Sequence, residues 1–313
     1  MVWLFIGGGL CLSGLLFYPL LELLIWRWLW LRQLSSSPAS AHRQEWSTGL
    51  LYLSGISHFA SAELLPQQII LLEQAATVIQ PDRMLTLAFP YDPQVAQAFR
   101  PFDLWRQLGF GETPLLICSL RNFWQAWLAS WLPNWYGAPV ARCLQQCLGP
   151  ANSPQRLVVI GNSTGGALLL SAAVYLRQTW PTLPITAILC GGVLGESDGF
   201  AEIKAFHQLL GQQDPWPHLA TLIFPKRQPN GAWQQAEREG RYQTHALGDM
   251  AHFGPNGYYS DKHIDQTSAL ITALLKAELG SQVDQPVATS YNVANNQSSA
   301  PLSSNDLSSF TQA

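Results

Sequence analysis

Leu157-Val158-Val159-Ile160-Gly161-Asn162-Ser163-Thr164-Gly165-Gly166, followed by Ala167 to Tyr175, carries the sharpest local pattern in the chain. Its four branched apolar residues in a row predict a buried strand. Ala167-Leu168-Leu169-Leu170 and on to Leu176 predict a helix. Between the two lies G-x-S-x-G, a spacing that suits a serine held on a tight strand-to-helix turn. Gly161 and Gly165 keep Cβ atoms away where strand and helix nearly touch. Such a turn pushes the Ser163 hydroxyl into the open. It also aims the Thr164 backbone N–H, at the start of the helix, toward a developing oxyanion. The plainer alternative is a glycine-rich loop in which Ser163 is only a helix N-cap.

Working outward, strands alternate with helices. Gly49–Ser54, Arg83–Phe89, Pro184–Cys190, Leu219–Phe224 and Tyr242–Leu247 read as further strands. Helices are expected over Leu64–Ile79, Ala201–Leu210, Ala232–Glu239 and His263–Leu279. This alternation predicts an α/β fold, a mostly parallel, doubly wound sheet with helices on both faces. With G-x-S-x-G in its strand–turn–helix setting, the chain resembles the α/β-hydrolase fold over about residues 46–276.

Length and composition leave room for additions to one such domain. The chain has 313 residues, enough for one large α/β domain and more. Only 12% of residues are charged and 48% are hydrophobic, low charge for a freely soluble protein. The net charge of −3 gives no reason to expect a nucleic-acid partner. The five cysteines have no regular spacing and read as reduced thiols. Cys143 and Cys147 share a helix face, a geometry poor for a disulfide. There is no metal-binding cluster such as H-E-x-x-H or paired C-x-x-C, so neither metal nor cofactor is expected. The sequence carries no signal of an oligomeric state.

Residues 2–24 are apolar apart from Ser13 and Glu22, and long enough to cross a bilayer. Trp26-Arg27-Trp28-Leu29-Trp30-Leu31-Arg32 follows, a mixture that a headgroup interface favours. No Lys or Arg precedes the segment, so it lacks the basic start of a cleaved signal peptide. The expectation is an N-terminal transmembrane helix with its interfacial segment over 1–33 and a linker over 34–45. The α/β-hydrolase domain would then occupy 46–279, and a disordered tail 280–313. Arg27, Arg32 and Arg43 all follow the span, which places the domain on the cytoplasmic side of the membrane. Residues 94–155 exceed what one crossover helix needs. They carry Trp124, Trp127, Trp131 and Trp135 at spacings that put the rings on one helical face. That face is core packing, a lid, or a helix that contacts the membrane.

The resemblance implies a serine hydrolase with its catalytic residues in the order Ser, acid, His. Ser163 is the nucleophile and His252, in the glycine-bounded loop after the last expected strand, is the base. Thr164 and the turn after the first strand, through Ile56 or Ser57, would supply the oxyanion N–H groups; His58 packs that loop or lines the pocket. In the common arrangement an Asp follows the next-to-last strand. Here that strand is Leu219–Phe224, the loop after it, Pro225 to Gly231, has no carboxylate, and Asn230 stands in the acid's place. Asp198, or else Glu196, one strand earlier, is then the expected acid. Two functions remain open. One is a membrane-anchored hydrolase of a small-molecule or lipid ester, tethered through residues 2–24. The other is a non-catalytic scaffold or binding protein on the same fold, for which the misplaced acid speaks.

Overall fold

Short apolar runs bounded by turn residues form six strands among the described residues: β1 (Thr48–Leu53), β2 (Arg83–Phe89), β3 (Arg156–Asn162), β4 (Ile185–Cys190), β5 (Ala205–Leu210) and β6 (Tyr242–Ala246). The computed structural model describes residues 2–36, 46–55, 63–110, 113–149 and 154–283, with side chains for all of these except 2–13, 15, 36, 86–89 and 281–283. The helices are α1 (Val2–Ser36), α2 (Pro66–Ile79), α3 (Pro93–Phe99), α4 (Leu104–Gln107), α5 (Leu115–Trp131) and α6 (Pro133–Leu148), then α7 (Gly165–Thr179), α8 (Gly199–Glu202), α9 (Trp216–Ile223), α10 (Ala232–Arg238) and α11 (Ile264–Val283).

The strands form one sheet in the order β2-β1-β3-β4-β5-β6, with every pair parallel. The chain runs from β1 outward to β2, then returns to lay β3 on the other side of β1. That reversal makes the carboxyl ends of β1 and β3 a topological switch point, where such sheets open a crevice. β3 is central and closed to water: Leu157, Val158, Val159 and Ile160 are at most 3% exposed. Burying each contributes about 1.5–3 kcal/mol. The parallel, doubly wound sheet read from the alternation of elements is the one observed.

Two expected elements exchange type. Ala201–Leu210, expected as a helix, is the short α8 followed by strand β5. Leu219–Phe224, expected as a strand, lies in α9 and its C-cap. The reason is a difference in period. Every residue from Ala205 to Leu209 is buried, including His207 and Gln208, as in a strand covered on both faces. Around α9, by contrast, Ala220 and Phe224 are buried while Leu219, Leu222 and Ile223 are exposed, which is helical spacing.

The carboxyl half of α1 is part of the domain. Trp26 and Trp30, four apart on one helix face, are fully buried and stack with ring centroids 5.3 Å apart. Trp26 also meets Tyr91 at 5.2 Å. Glu22 and Arg121 form a buried ion pair at 2.7 Å, and the Arg27 guanidinium sits 4.1 Å above the Trp135 ring. The expected headgroup segment 26–32 is therefore corrected: Trp26 and Trp30 face protein, and of its tryptophans Trp28 alone, 53% exposed, faces outward. Trp26→Ala should lower stability by about 3–5 kcal/mol, whereas Trp28→Ala should stay within about 0.5 kcal/mol. Thermal melts of the two variants check this, and equal shifts would contradict the docking of α1.

No helix among the described residues is long and apolar enough to cross a membrane. Most side chains of the apolar segment 2–24 lie outside the described residues, as do the tail beyond Val283 and residues 37–45 of the expected linker. α1 itself runs on to Ser36. The tryptophan series is split between two helices, because α5 ends at Trp131 and Pro133 starts α6, which carries Trp135. Trp124 and Trp127 are half-buried and Trp131 is exposed. The Trp124 indole N–H donates to Leu16 O at 2.9 Å, so this side of α5 forms a seam with α1. Cys118, Cys143, Cys147 and Cys190 are free thiols.

Candidate active site

Ser163 directly follows β3 with φ at 51°, a left-handed backbone that a non-glycine residue adopts only under local constraint. The constraint is the crossing of α7 over β1. A Cβ on Gly161 would stand 2.5 Å from Leu53 O, and one on Gly165 would meet the same oxygen. Only glycine at both positions lets the helix start this close to the strand. α7 begins at Gly165, so the Thr164 N–H lies at the positive end of the helix, among the amides that have no partner inside it. Thr164 is fully buried, and its hydroxyl donates to Asn122 O at 3.1 Å. That bond fixes the turn against α5.

His252 follows β6, in a loop pinned by the Ala251–Gly257 bridge. Its Nδ1 lies 2.8 Å from Asp214 Oδ2. The carboxylate has no proton to give, so Nδ1 donates and Nε2 is left to accept. Asp214 is buried and held by two more donors, Tyr258 Oη at 2.8 Å and the Trp216 N–H at 3.0 Å. Burial, and next the charge of Asp214, push the Tyr258 phenol well above its usual range, which keeps it a donor. Gly191 makes room for the pair: a Cβ there would stand 2.5 Å from Asp214 Oδ2 and 3.0 Å from His252 Nδ1.

Ser163, Gly191, Asp214 and His252 thus come from the carboxyl ends of four neighbouring strands, β3 to β6. Ser163 and Thr164 line a narrow cleft together with Asn122 and Phe123 of α5, the inner side of α9, and Phe253, the neighbour of His252. Most of its wall is apolar. Among the described residues no hydrogen bond joins Ser163 to His252. Such bonds are often long before substrate binds.

Of the residues singled out in the sequence, Ser163 and Thr164 line this cleft, and His252 stands behind its wall, in ring contact with the lining residues Trp216 and Phe253. The three acid candidates do not pair with His252. Asp198 is exposed at the start of α8. Glu196 accepts the Gln228 and Trp233 N–H groups and so braces the start of α10. Asn230 accepts from Arg238 on the surface. Asp214 stands at His252 instead. Once Ala205–Leu210 is seen as the next-to-last strand, Asp214 follows it in the usual place. The missed signal was the run Ala205-Phe206-His207-Gln208-Leu209-Leu210 closed by Gly211. Ile56, Ser57 and His58 lie outside the described residues.

A parallel sheet with its switch at β1 and β3, a serine on a left-handed turn after β3, and an Asp–His pair after the last two strands make up the α/β-hydrolase arrangement. No family model and no curated protein matches the chain. Among solved structures, an esterase from Pyrobaculum calidifontis is similar over 75% of this chain and 78% of its own, with 12% identity and a TM-score of 0.39. A poly(3-hydroxybutyrate) depolymerase from Bordetella parapertussis is similar over 76% of this chain and 81% of its own, with 13% identity and a TM-score of 0.35. Activity is therefore read from this chain's own residues.

Proposed function

We propose that the protein is a serine hydrolase of carboxylic esters. The observation that carries this reading is the buried Asp214–His252 pair, placed so that Phe253 and Ser163 line one cleft. Ser163 Oγ attacks the ester carbonyl as His252 Nε2 takes its proton. The charge of Asp214 stabilises the imidazolium that forms. The Thr164 N–H, joined by Ile56 or Ser57 after β1, holds the oxyanion. His252 returns the proton to the leaving alcohol, and water then releases the acyl group through the same base. The scaffold reading rested on a missing acid, and Asp214 removes that support.

The substrate class and location belong to the same proposal. The apolar cleft favours an apolar acyl group. The uncharged start of α1 holds the chain at a membrane, with the domain on the cytoplasmic side.

The test of the chemistry is pre-steady-state hydrolysis of a p-nitrophenyl ester by the full chain. A burst of nitrophenolate equal to the enzyme concentration, absent in Ser163→Ala, is the expected result. Steady turnover that persists in Ser163→Ala would overturn it. Location is tested by alkaline carbonate extraction of membranes, which should leave the full chain in the pellet. Recovery of a mature protein starting after about residue 30 would defeat the anchor.

A further inference from the structure

The mouth of the Ser163 cleft carries more exposed apolar surface than a water-facing rim needs. Along α5, Asn122 is buried at the cleft wall and Ser119, one turn earlier, is half-buried. Leu115 and Leu116, a further turn out on the same side, are 63% and 57% exposed. Along α9, Leu219 and Ile223 line the cleft yet remain about two-fifths exposed, and Leu222 beside them is 76% exposed. Neither Leu115–Leu120 nor Trp216–Phe224 contains an Asp, Glu, Lys or Arg. Contiguous apolar rims of this kind mark contact with a partner or a membrane.

The course of α1 indicates which. No charged residue occurs in the chain before Glu22. Leu16 and Phe17 are exposed at the seam where α1 packs against α5. Three successive ring contacts join that point to the cleft wall: Phe17 with Trp124 at 6.0 Å, Trp124 with Phe123 at 5.4 Å, and Phe123 with Phe224 at 6.3 Å. The uncharged stretch before Glu22 therefore joins the domain at a point that three ring contacts connect to the cleft wall. Lys226, exposed just past α9, suits an anionic headgroup.

We propose that this rim, with Leu115 and Leu116 on one side and Leu219, Leu222 and Ile223 on the other, docks on the bilayer surface, so that a membrane-dissolved ester enters the cleft without passing through water. The proposal deepens the esterase reading and rests on it for the identity of what enters. The docking itself is independent of catalysis. The apolar leucines enter the acyl boundary as the apolar face of an interfacial helix does. Ser163 then faces the leaflet in which α1 ends.

The test uses the full chain in phosphatidylcholine–phosphatidylglycerol vesicles. An environment-sensitive fluorophore is attached at Leu116→Cys, Leu222→Cys and, for reference, Glu73→Cys on the exposed side of α2. The unsubstituted chain, labelled in parallel, gives the contribution of native thiols. Blue-shifted emission and several-fold quenching by brominated lipid at 116 and 222, but not at 73, is the expected result. Water-like emission at both rim positions would overturn the proposal. So would a shift that appears only when protomers cross-link through the rim, since a second copy would then cover it.

Kinetics supply a second reading. Leu116→Glu and Leu222→Glu should lower hydrolysis of a vesicle-embedded long-chain ester by about tenfold while leaving a short soluble ester unchanged. Equal loss on both esters would contradict docking. A buried label with no ester turnover by the unsubstituted chain would leave the rim standing and defeat the esterase reading instead.

Discussion

Asp214→Asn is expected to lower kcat on a short ester such as p-nitrophenyl acetate by about 10⁴-fold, with little change in KM. The carboxylate does two things that an amide cannot. It accepts from His252 Nδ1 at 2.8 Å, which leaves Nε2 free to receive the Ser163 proton. It also places a full negative charge beside the imidazolium formed during attack. An amide can turn its NH₂ toward Nδ1, select the other tautomer and block proton transfer. The fold should survive, because with the NH₂ in the place of Oδ2 the amide oxygen takes the place of Oδ1 and still accepts the Trp216 N–H, while the Tyr258 hydroxyl, which accepts as well as donates, faces the NH₂. Asp198→Asn, Glu196→Gln and Asn230→Asp should leave kcat within about twofold, since none of those side chains contacts His252. A loss in any of them comparable to that of Asp214→Asn would reassign the acid. Steady-state kinetics with a melting curve for each variant decides it.

Ser163→Ala and His252→Ala should each cost about 10⁶-fold in kcat, and the double variant no more than either alone. The two side chains act as one unit. Without the hydroxyl there is nothing for the imidazole to deprotonate, and without the imidazole the hydroxyl is a poor nucleophile. Ser163→Ala removes one oxygen from a residue that is only 8% exposed and touches no structural partner among those described. Its melting temperature should stay near that of the unsubstituted protein. The residual activity of both variants would come from the Thr164 N–H and the cleft itself. Losses that multiply would mean that the two residues do not share a proton.

The parts of this architecture that depend on local pattern were legible in the sequence. β2 spans the expected residues, Arg83–Phe89, and β6 begins at the expected Tyr242, because both are short runs of strand-forming residues between turn residues. Ser163, flanked by Gly161 and Gly165 between an apolar run and a helix former, needed no distant information. What could not be read locally was the exchange of strand and helix between Ala201 and Phe224. His207 and Gln208 make β5 look amphipathic. They are buried because His207 meets His245 at 3.1 Å and Gln208 bonds Gly191, Gly192 and Tyr242. Those partners lie 16 to 38 residues away in sequence. The mistaken helix hid the next-to-last strand, and with it Asp214. In α1 the error was of another kind. Tryptophan interleaved with arginine suits a headgroup region and a protein seam equally well, and only the tertiary partners Tyr91 and Trp135 separate the two.

The most direct test of the central claim, that Ser163 is a nucleophile activated by the Asp214–His252 pair, is the site and rate of fluorophosphonate labelling, read by peptide mass spectrometry on the full-length protein. The adduct should fall on Ser163, disappear in Ser163→Ala, and form at least about 10³-fold more slowly in His252→Ala and Asp214→Asn. No adduct on the folded protein, an adduct on another residue, or an undiminished rate in His252→Ala would contradict it.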